Sequence, residues 1–381
     1  MSSLFSFPAP PPCPEADNLR AEVRIFLDTE IADRTSLLRA ESWNGVDVEF
    51  SRKLGARGWI GMTWPKRYGG HERSALERYV VLEEMLAAGA PIGAHWIADR
   101  QSGPSLLRYG TEAQRQRFLP QIAAGEHFFC IGMSEPDSGS DLASVRTRAT
   151  RVDGGWVVNG SKVWTTNAHL CHTMILFCRT GSSDTADRHG GTSQFLVDLT
   201  LPGIAIRSIK FLTGEHHFNE VVFQDVFLPE TALLGAEGQG WTQVMSELAF
   251  ERSGPERFLS SFTMLVELTR AMGHVPSERA AIALGRLAGH IASLRRLSLS
   301  IAGLLAAGAD PALQAAMVKD LGALIEQEIP EIARQIVPPD EADDTYAAVL
   351  SYLTMHGPSF SLRGGTREIL RGIVARGLGL R

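Results

Sequence analysis

Cysteine is scarce in this chain of 381 residues: there are four, Cys13, Cys130, Cys171 and Cys178. None forms a C-x-x-C pair and no His/Cys cluster has metal-ligand spacing, so neither a disulfide framework nor a zinc site is expected, and no metal is assigned. A reduced, cytoplasmic environment fits that usage. No apolar run approaches membrane-spanning length, so membrane insertion is not expected. Basic excess is missing as well. The formal net charge is -6, which argues against nucleic-acid binding through bulk basicity. The N-terminal stretch lacks a basic segment followed by a long apolar one and does not read as a secretory signal. Pro8, Pro10, Pro11, Pro12 and Pro14 predict an extended arm before the first helix.

What is present is ordinary globular material, 44% hydrophobic and 21% charged. That suffices for a sizeable core, and the length allows two or three domains. Up to residue 127 the pattern is helical, with Leu19, Val23, Phe26 and Leu27, and later Tyr79, Val80, Leu82, Met85 and Leu86, at helix spacing. Residues 61–70, rich in Gly with one Pro, read as a turn-rich connection. Residues 128–236 differ. Short apolar or alternating runs at 156–160, 174–178, 194–197 and 220–223, bounded by Gly, Asp and Pro, predict a β-barrel or sandwich. From 237 to 381 the pattern is helical again, with a polar break at 337–344. The expected class is α+β: a helical domain 1–127, a β-domain 128–236 and a helical bundle 237–381.

Two segments suit a ligand. Ser134-Glu135-Pro136-Asp137-Ser138-Gly139-Ser140-Asp141 leaves an apolar run as a loop of small residues. Its hydroxyls and backbone N–H groups could cradle a phosphate or a polar ring edge, although an ordinary solvated turn has the same composition. Asn159-Gly160-Ser161-Lys162-Val163-Trp164-Thr165-Thr166-Asn167 reads as the sequel to a short strand and a tight turn. Trp164 offers a flat face with hydroxyls beside it, which suits stacking on a conjugated ring; a core Trp on a strand fits equally well.

These two segments, in order with Trp64-Pro65-x-x-Tyr68-Gly69-Gly70, the stretch from Tyr109-Gly110-Thr111-Glu112 to Pro120, Gly125-Glu126, and Phe223-Gln224-Asp225-Val226-x-x-Pro229 leading to Gly235, Gly238 and Gly240, resemble the acyl-CoA dehydrogenase family. The resemblance covers nearly the whole chain. It implies an N-terminal helical domain, a middle β-domain, a C-terminal four-helix bundle, and FAD between the last two. It implies that Met133 and Ser134 touch the flavin ring edge, that Ser140 lies near the FAD pyrophosphate or the CoA ester, that Trp164 flanks the isoalloxazine, that Thr166 bonds its polar edge, and that Thr366 also serves the cofactor.

The family reaction takes a proton from the carbon alpha to a thioester and a hydride from the beta carbon, the hydride going to flavin N5. So weak an acid needs a positioned carboxylate. Many members carry it in a Tyr-Glu-Gly-Thr motif, but here Arg363-Gly364-Gly365-Thr366 places Gly364 where that Glu would stand. A second group, resembling isovaleryl- and long-chain acyl-CoA dehydrogenases, places the Glu on a helix before an Arg, eleven residues after the second Gly of a G-x-G turn. Counted from Gly240, that residue is Glu251, followed by Arg252 toward the substrate. Glu256, also followed by an Arg, is the competitor; on one continuous helix it would lie about 140° further round.

Two departures concern assembly. Homotetrameric members usually carry Arg-x-x-Phe-Gly where this chain has Ala281-Ile282-Ala283-Leu284-Gly285, and Gln-x-x-Gly-Gly where it has Arg334-Gln335 and no paired Gly. Both groups reach a neighbour's FAD, so a heterotetramer with a related subunit is expected beside a homo-oligomer, the mixed form resembling actinobacterial steroid-degrading dehydrogenases. The implied partners are an acyl-CoA substrate and an electron-transferring flavoprotein. Competing readings are a non-catalytic partner subunit, and a flavin oxidase or monooxygenase on the same fold.

Overall fold

The computed structural model describes residues 6–181, 188–251 and 254–380, with backbone alone along 247–251. Among the described residues six α-helices come first: α1 (Pro14–Glu30), α2 (Ser36–Glu41), α3 (Val48–Ala56), α4 (Ala75–Ala87), α5 (Gly103–Tyr109) and α6 (Glu112–Ala123). The strands are β1 (Phe129–Gly132), β2 (Arg148–Val152), β3 (Gly155–Thr166), β4 (Thr173–Arg179), β5 (Thr192–Asp198), β6 (Ile204–Lys210), β7 (His216–Pro229) and β8 (Leu233–Leu234). Then come α7 (Gly240–Glu251), α8 (Phe262–Met272), α9 (Glu278–Ala306), α10 (Ala312–Ile336), α11 (Asp344–Phe360) and α12 (Arg367–Gly377). The α+β expectation holds in this order of helical, sheet and helical segments. Residues 6–13 are irregular and α1 starts on Pro14, as the proline cluster predicts.

The elements gather into two compact units. The first joins α1, α2 and α4 to α8–α12. Several of its helices start where side chains cap them: Ser74 and Glu77 form a reciprocal capping box on α4, and Asp343 accepts from the Tyr346 N–H on α11. Within this unit α10 packs against α8, α9, α11 and α12. Glu83 and Glu84 of α4 are buried, and Arg20 and Arg24 of α1 and Arg295 of α9 neutralise them.

The second unit joins α3, α5 and α6 to the sheet and to all of α7 but its last residue. The strand order is β6-β7-β3-β2-β4-β5-β8, with β1 beside β4 in parallel. Central β4 is buried along its whole length, and Trp156, Met174, Phe195, Val221 and Phe223 share its core. Cys130 and Cys178 are buried there as small apolar groups, and burial pushes the Cys178 thiol up to about 12. One strand departs from the sequence reading. Gly160 does not end a short strand in a turn: β3 runs on through it, at φ 143, to Thr166. Here β7 carries the extra residue of a bulge opposite Asn159, so the glycine absorbs a pairing irregularity rather than a chain reversal.

His95 lies buried in this unit with its Nδ1 2.8 Å from Ser51 Oγ, and burial drives its pKa down to about 4. The folded protein keeps the ring neutral while the unfolded chain protonates near 6.5. Stability is therefore full above pH 6.5 and falls as pH drops toward 4, by about 3 kcal/mol from this ring. Urea unfolding between pH 7 and pH 4 should show a smaller loss for His95→Gln than for wild type; equal losses would remove His95 from the account.

Candidate active site

The candidate site starts from a bulge in β3. Lys162 pairs with Val221 and Thr165 with Asn219, so Val163 and Trp164 together oppose Glu220 alone. The extra residue is Trp164, at φ 58, a left-handed backbone that a bulky side chain rarely adopts. The distortion turns its indole outward, 59% exposed, edge-on to Phe218 at 5.8 Å between centroids, while Thr165 is fully buried. Strain at one exposed aromatic is typical of a position held for a ligand. Thr166 ends the strand, half-buried, and among the described residues its hydroxyl has no hydrogen-bond partner.

The turn after β1 is tied to this same strand. The Val163 N–H donates to the Ser134 carbonyl at 2.9 Å. Lys162 Nζ, fully buried, donates to the Met133 carbonyl at 2.9 Å and to Glu135 Oε1 at 2.8 Å. The Glu135 carboxylate also accepts from the Arg146 N–H at 2.7 Å and the Thr147 N–H at 2.8 Å. Burial works against the Glu135 charge, but the Lys162 ammonium and these hydrogen bonds hold its pKa below the ordinary carboxylate value; burial pulls the Lys162 pKa down. Among the described residues the Ser134 hydroxyl has no protein partner. Met133, Ser134, Trp164 and Thr166 thus belong to two joined segments of one unit. Ser140 sits further along the loop, exposed, where Ser138 and Asp141 bond to each other.

Helix α7 is pinned at its start. The Gly238 N–H donates to Ser193 Oγ at 2.9 Å, Gln243 Nε2 donates to the Leu234 carbonyl at 2.7 Å, and Tyr109 Oη donates to Ser246 Oγ at 3.0 Å. A Cβ on Gly240 would lie 2.7 Å from the Ser193 N, so only glycine fits. The helix runs from that anchor to Glu251, its last residue, about 16 Å along the axis. The Glu251 side chain and Arg252 lie outside the described residues. Glu256 is not on this helix, contrary to the spacing argument: it lies in a separate 3-10 turn, Pro255–Arg257. Extended backbone at Gly254 and the Pro255 ring start that turn afresh. There Glu256 is buried beside Arg257, 3.6 Å away.

The first unit holds the remaining residues. Gly364 and Gly365 have φ 66 and 99, so a glutamate at 364 would need left-handed backbone at a cost of about 1–2 kcal/mol. Thr366 caps α12, its Oγ1 accepting from the Ile369 N–H at 3.5 Å. Glu135 and Lys162 lie inside the two ligand-suited segments, and sequence alone assigns neither a role. The available signal was a lysine set among strand-forming residues, two positions before the exposed Trp164. Among the described residues no group of three His, Cys, Asp or Glu could hold a metal ion, and no helix is long and apolar enough to cross a membrane.

A sheet flanked in sequence by helical segments, with the exposed Trp164 indole on a strand joined to the Met133–Ser134 segment, defines an α+β protein. Comparison with known proteins is specific. Models of the acyl-CoA dehydrogenase N-terminal, middle and C-terminal domains match residues 14–126, 130–226 and 238–379. The chain belongs to the acyl-CoA dehydrogenase family, a family of oxidoreductases. It is 31% identical to acyl-CoA dehydrogenase FadE29 of Mycobacterium tuberculosis, over 95% of this chain and 96% of that protein. It is 37% identical to acyl-CoA dehydrogenase IpdE1 of the same organism, over 62% of this chain; that match spans 63% of the relative's length. The ChsE4-ChsE5 complex from Mycobacterium tuberculosis contains a chain with TM-score 0.83 and 28% identity, covering 97% of this chain and 98% of that one.

Proposed function

We propose that this chain is an FAD-dependent acyl-CoA dehydrogenase subunit in which Glu251 removes the alpha proton of an acyl-CoA thioester. The observation that carries the reading is the joining of the Met133–Ser134 segment to the strand that bears the exposed Trp164 indole and Thr166. FAD fits those groups. The indole flanks a flat ring, and the Ser134 and Thr166 hydroxyls have acceptor and donor capacity left for a polar ring edge. By the family resemblance Met133 also touches the ring edge, Ser140 serves the pyrophosphate or the CoA ester, and Thr366 also serves the cofactor. FAD, when bound, supplies the hydride acceptor. The chain's own part is to hold the thioester, exclude water and take the proton. Glu251 closes α7 at the spacing of the helix-borne base, and Gly364 has a backbone unsuited to the alternative glutamate. Arg252 helps hold the substrate.

The assembly is a heterotetramer with a related subunit rather than a homotetramer. Residues 281–285 are largely exposed on α9, Ile282 by 58%, and Arg334 is exposed near the end of α10. These are the stretches without the family's cross-subunit FAD groups, and the ChsE4-ChsE5 relative is itself a complex. The acyl group is a fatty, branched or steroid chain, and an electron-transferring flavoprotein reoxidises the cofactor. The test is anaerobic flavin bleaching by a panel of acyl- and steroid-CoA esters, with the chain purified alone and with a related subunit encoded beside it. Bleaching by one ester class, with FAD per chain rising in the co-purified form, is the expected result. An oxygen-reactive reduced flavin would favour an oxidase or monooxygenase. A folded complex that no ester bleaches would favour a non-catalytic subunit.

A further inference from the structure

We propose that Lys162 and Glu135 are positioning residues that aim the Ser134 backbone N–H at the ligand; the proposal rests on the flavin reading above. A fully buried lysine paired with a buried carboxylate is costly, and such pairs are often no more stabilising than apolar residues of the same volume. Their retention calls for a geometric reason, and the geometry supplies one. The peptide between Met133 and Ser134 is trans, so its N–H points away from its carbonyl. Lys162 Nζ takes that carbonyl into the sheet, which turns the Ser134 N–H outward, away from β3. The next carbonyl is held the same way, by the Val163 N–H, and the Glu135 N–H that it turns outward is occupied by the Ser138 carbonyl at 2.8 Å. Of the two outward donors one is therefore used inside the loop, and the Ser134 N–H has no acceptor among the described residues.

Glu135 fixes the lysine in turn. It anchors the ammonium from one side, while the Arg146 and Thr147 N–H groups anchor the carboxylate. The lysine stem fills the space over Gly132, where an added Cβ would meet Lys162 Cγ at 3.2 Å and Met174 Sδ at 2.6 Å. One side chain thus grips the run from Gly132 to Glu135, and the outcome is a single donor pointing out of the sheet beside the exposed Trp164. A donor there suits an electron-rich ring edge, and a peptide flip would present a carbonyl and repel it.

Two double variants separate positioning from core packing. Lys162→Met/Glu135→Gln removes both the charges and the donor to Met133. Lys162→Gln/Glu135→Gln removes the charges and keeps an amide donor. FAD affinity is measured by fluorescence titration of the apoprotein, in whichever assembly binds FAD as wild type, with thermal unfolding alongside. The Met variant should weaken FAD binding at least about tenfold, the equivalent of one hydrogen bond, and the Gln variant should stay within about threefold of wild type. Equal effects in both, or none in either, would overturn the proposal. Should neither variant fold, hydrogen exchange at the Ser134 amide in the wild type decides: slowing on FAD addition supports it, and an unchanged rate sinks it. A wild-type assembly that takes up no FAD would instead defeat the flavin reading itself.

Discussion

Glu251→Gln is expected to lower kcat for α,β-dehydrogenation by about 10²–10⁴-fold while FAD still binds. The substitution keeps the side chain's size and removes only its capacity to take a proton. The alpha proton of a thioester is a weak acid, and an amide gives it no acceptor. Since the interaction lost belongs to the transition state, kcat should fall and the acyl-CoA KM should move little. The pinned start of α7 is what makes the position specific. With Gly238, Gly240 and Gln243 fixed against Ser193 and Leu234, the helix has little freedom to present a different residue. Steady-state turnover with an artificial acceptor, compared with Glu256→Gln, settles the assignment. Full activity in Glu251→Gln together with loss in Glu256→Gln would move the base into the Pro255–Arg257 turn.

The two segments of the candidate site stand out in the sequence because each is local. The Ser134–Asp141 loop and the Trp164 segment each fall within ten residues, and small residues and a lone Trp mark them. The family resemblance then supplied their order. What stayed hidden was of two kinds. Some features depend on contacts distant in sequence. Lys162 meets Glu135 27 residues away, and Glu83 meets Arg295 212 residues away; no periodicity reports either pair. Others depend on backbone detail that residue type leaves open. Gly160 reads as a turn residue, yet it sits in a continuous strand at φ 143, and Trp164 holds a left-handed φ that its bulk argues against. Glu256 was displaced for a third reason. Counting positions assumes one unbroken helix, and Gly254-Pro255 starts a new turn. The spacing argument therefore reaches Glu251 and fails five residues later.

Glu326→Gln should destabilise the first unit by about 3–5 kcal/mol, the largest stability effect expected of a single isosteric change here. Glu326 is fully buried on α10, accepting from the Ser260 N–H at 3.0 Å and from Arg363 Nη2 at 2.8 Å. The Arg363 guanidinium carbon lies 4.6 Å from the Trp43 ring centroid and 4.8 Å from that of Phe360. Its Nη2 also donates to Ser260 Oγ and to the Glu256 carbonyl, while Nε and Nη1 are buried without a hydrogen-bond partner among the described residues. Burial lowers the Arg363 pKa, and the Glu326 charge opposes that shift. Without the carboxylate, a guanidinium deep in the helices keeps its charge and loses its main counter-charge. The double variant Glu326→Leu/Arg363→Met removes both charges together and should recover most of the loss. Urea unfolding of the two singles and the double gives the coupling energy directly; additive losses would mean that the pair is not a unit. The result bears on catalysis too, because Arg363 immediately precedes Gly364. The ion pair lies directly before the left-handed Gly364 and Gly365, where the family resemblance puts the alternative base. Loosening it should raise mobility there without restoring any carboxylate, so the stability loss should exceed any change in the protonation chemistry assigned to Glu251.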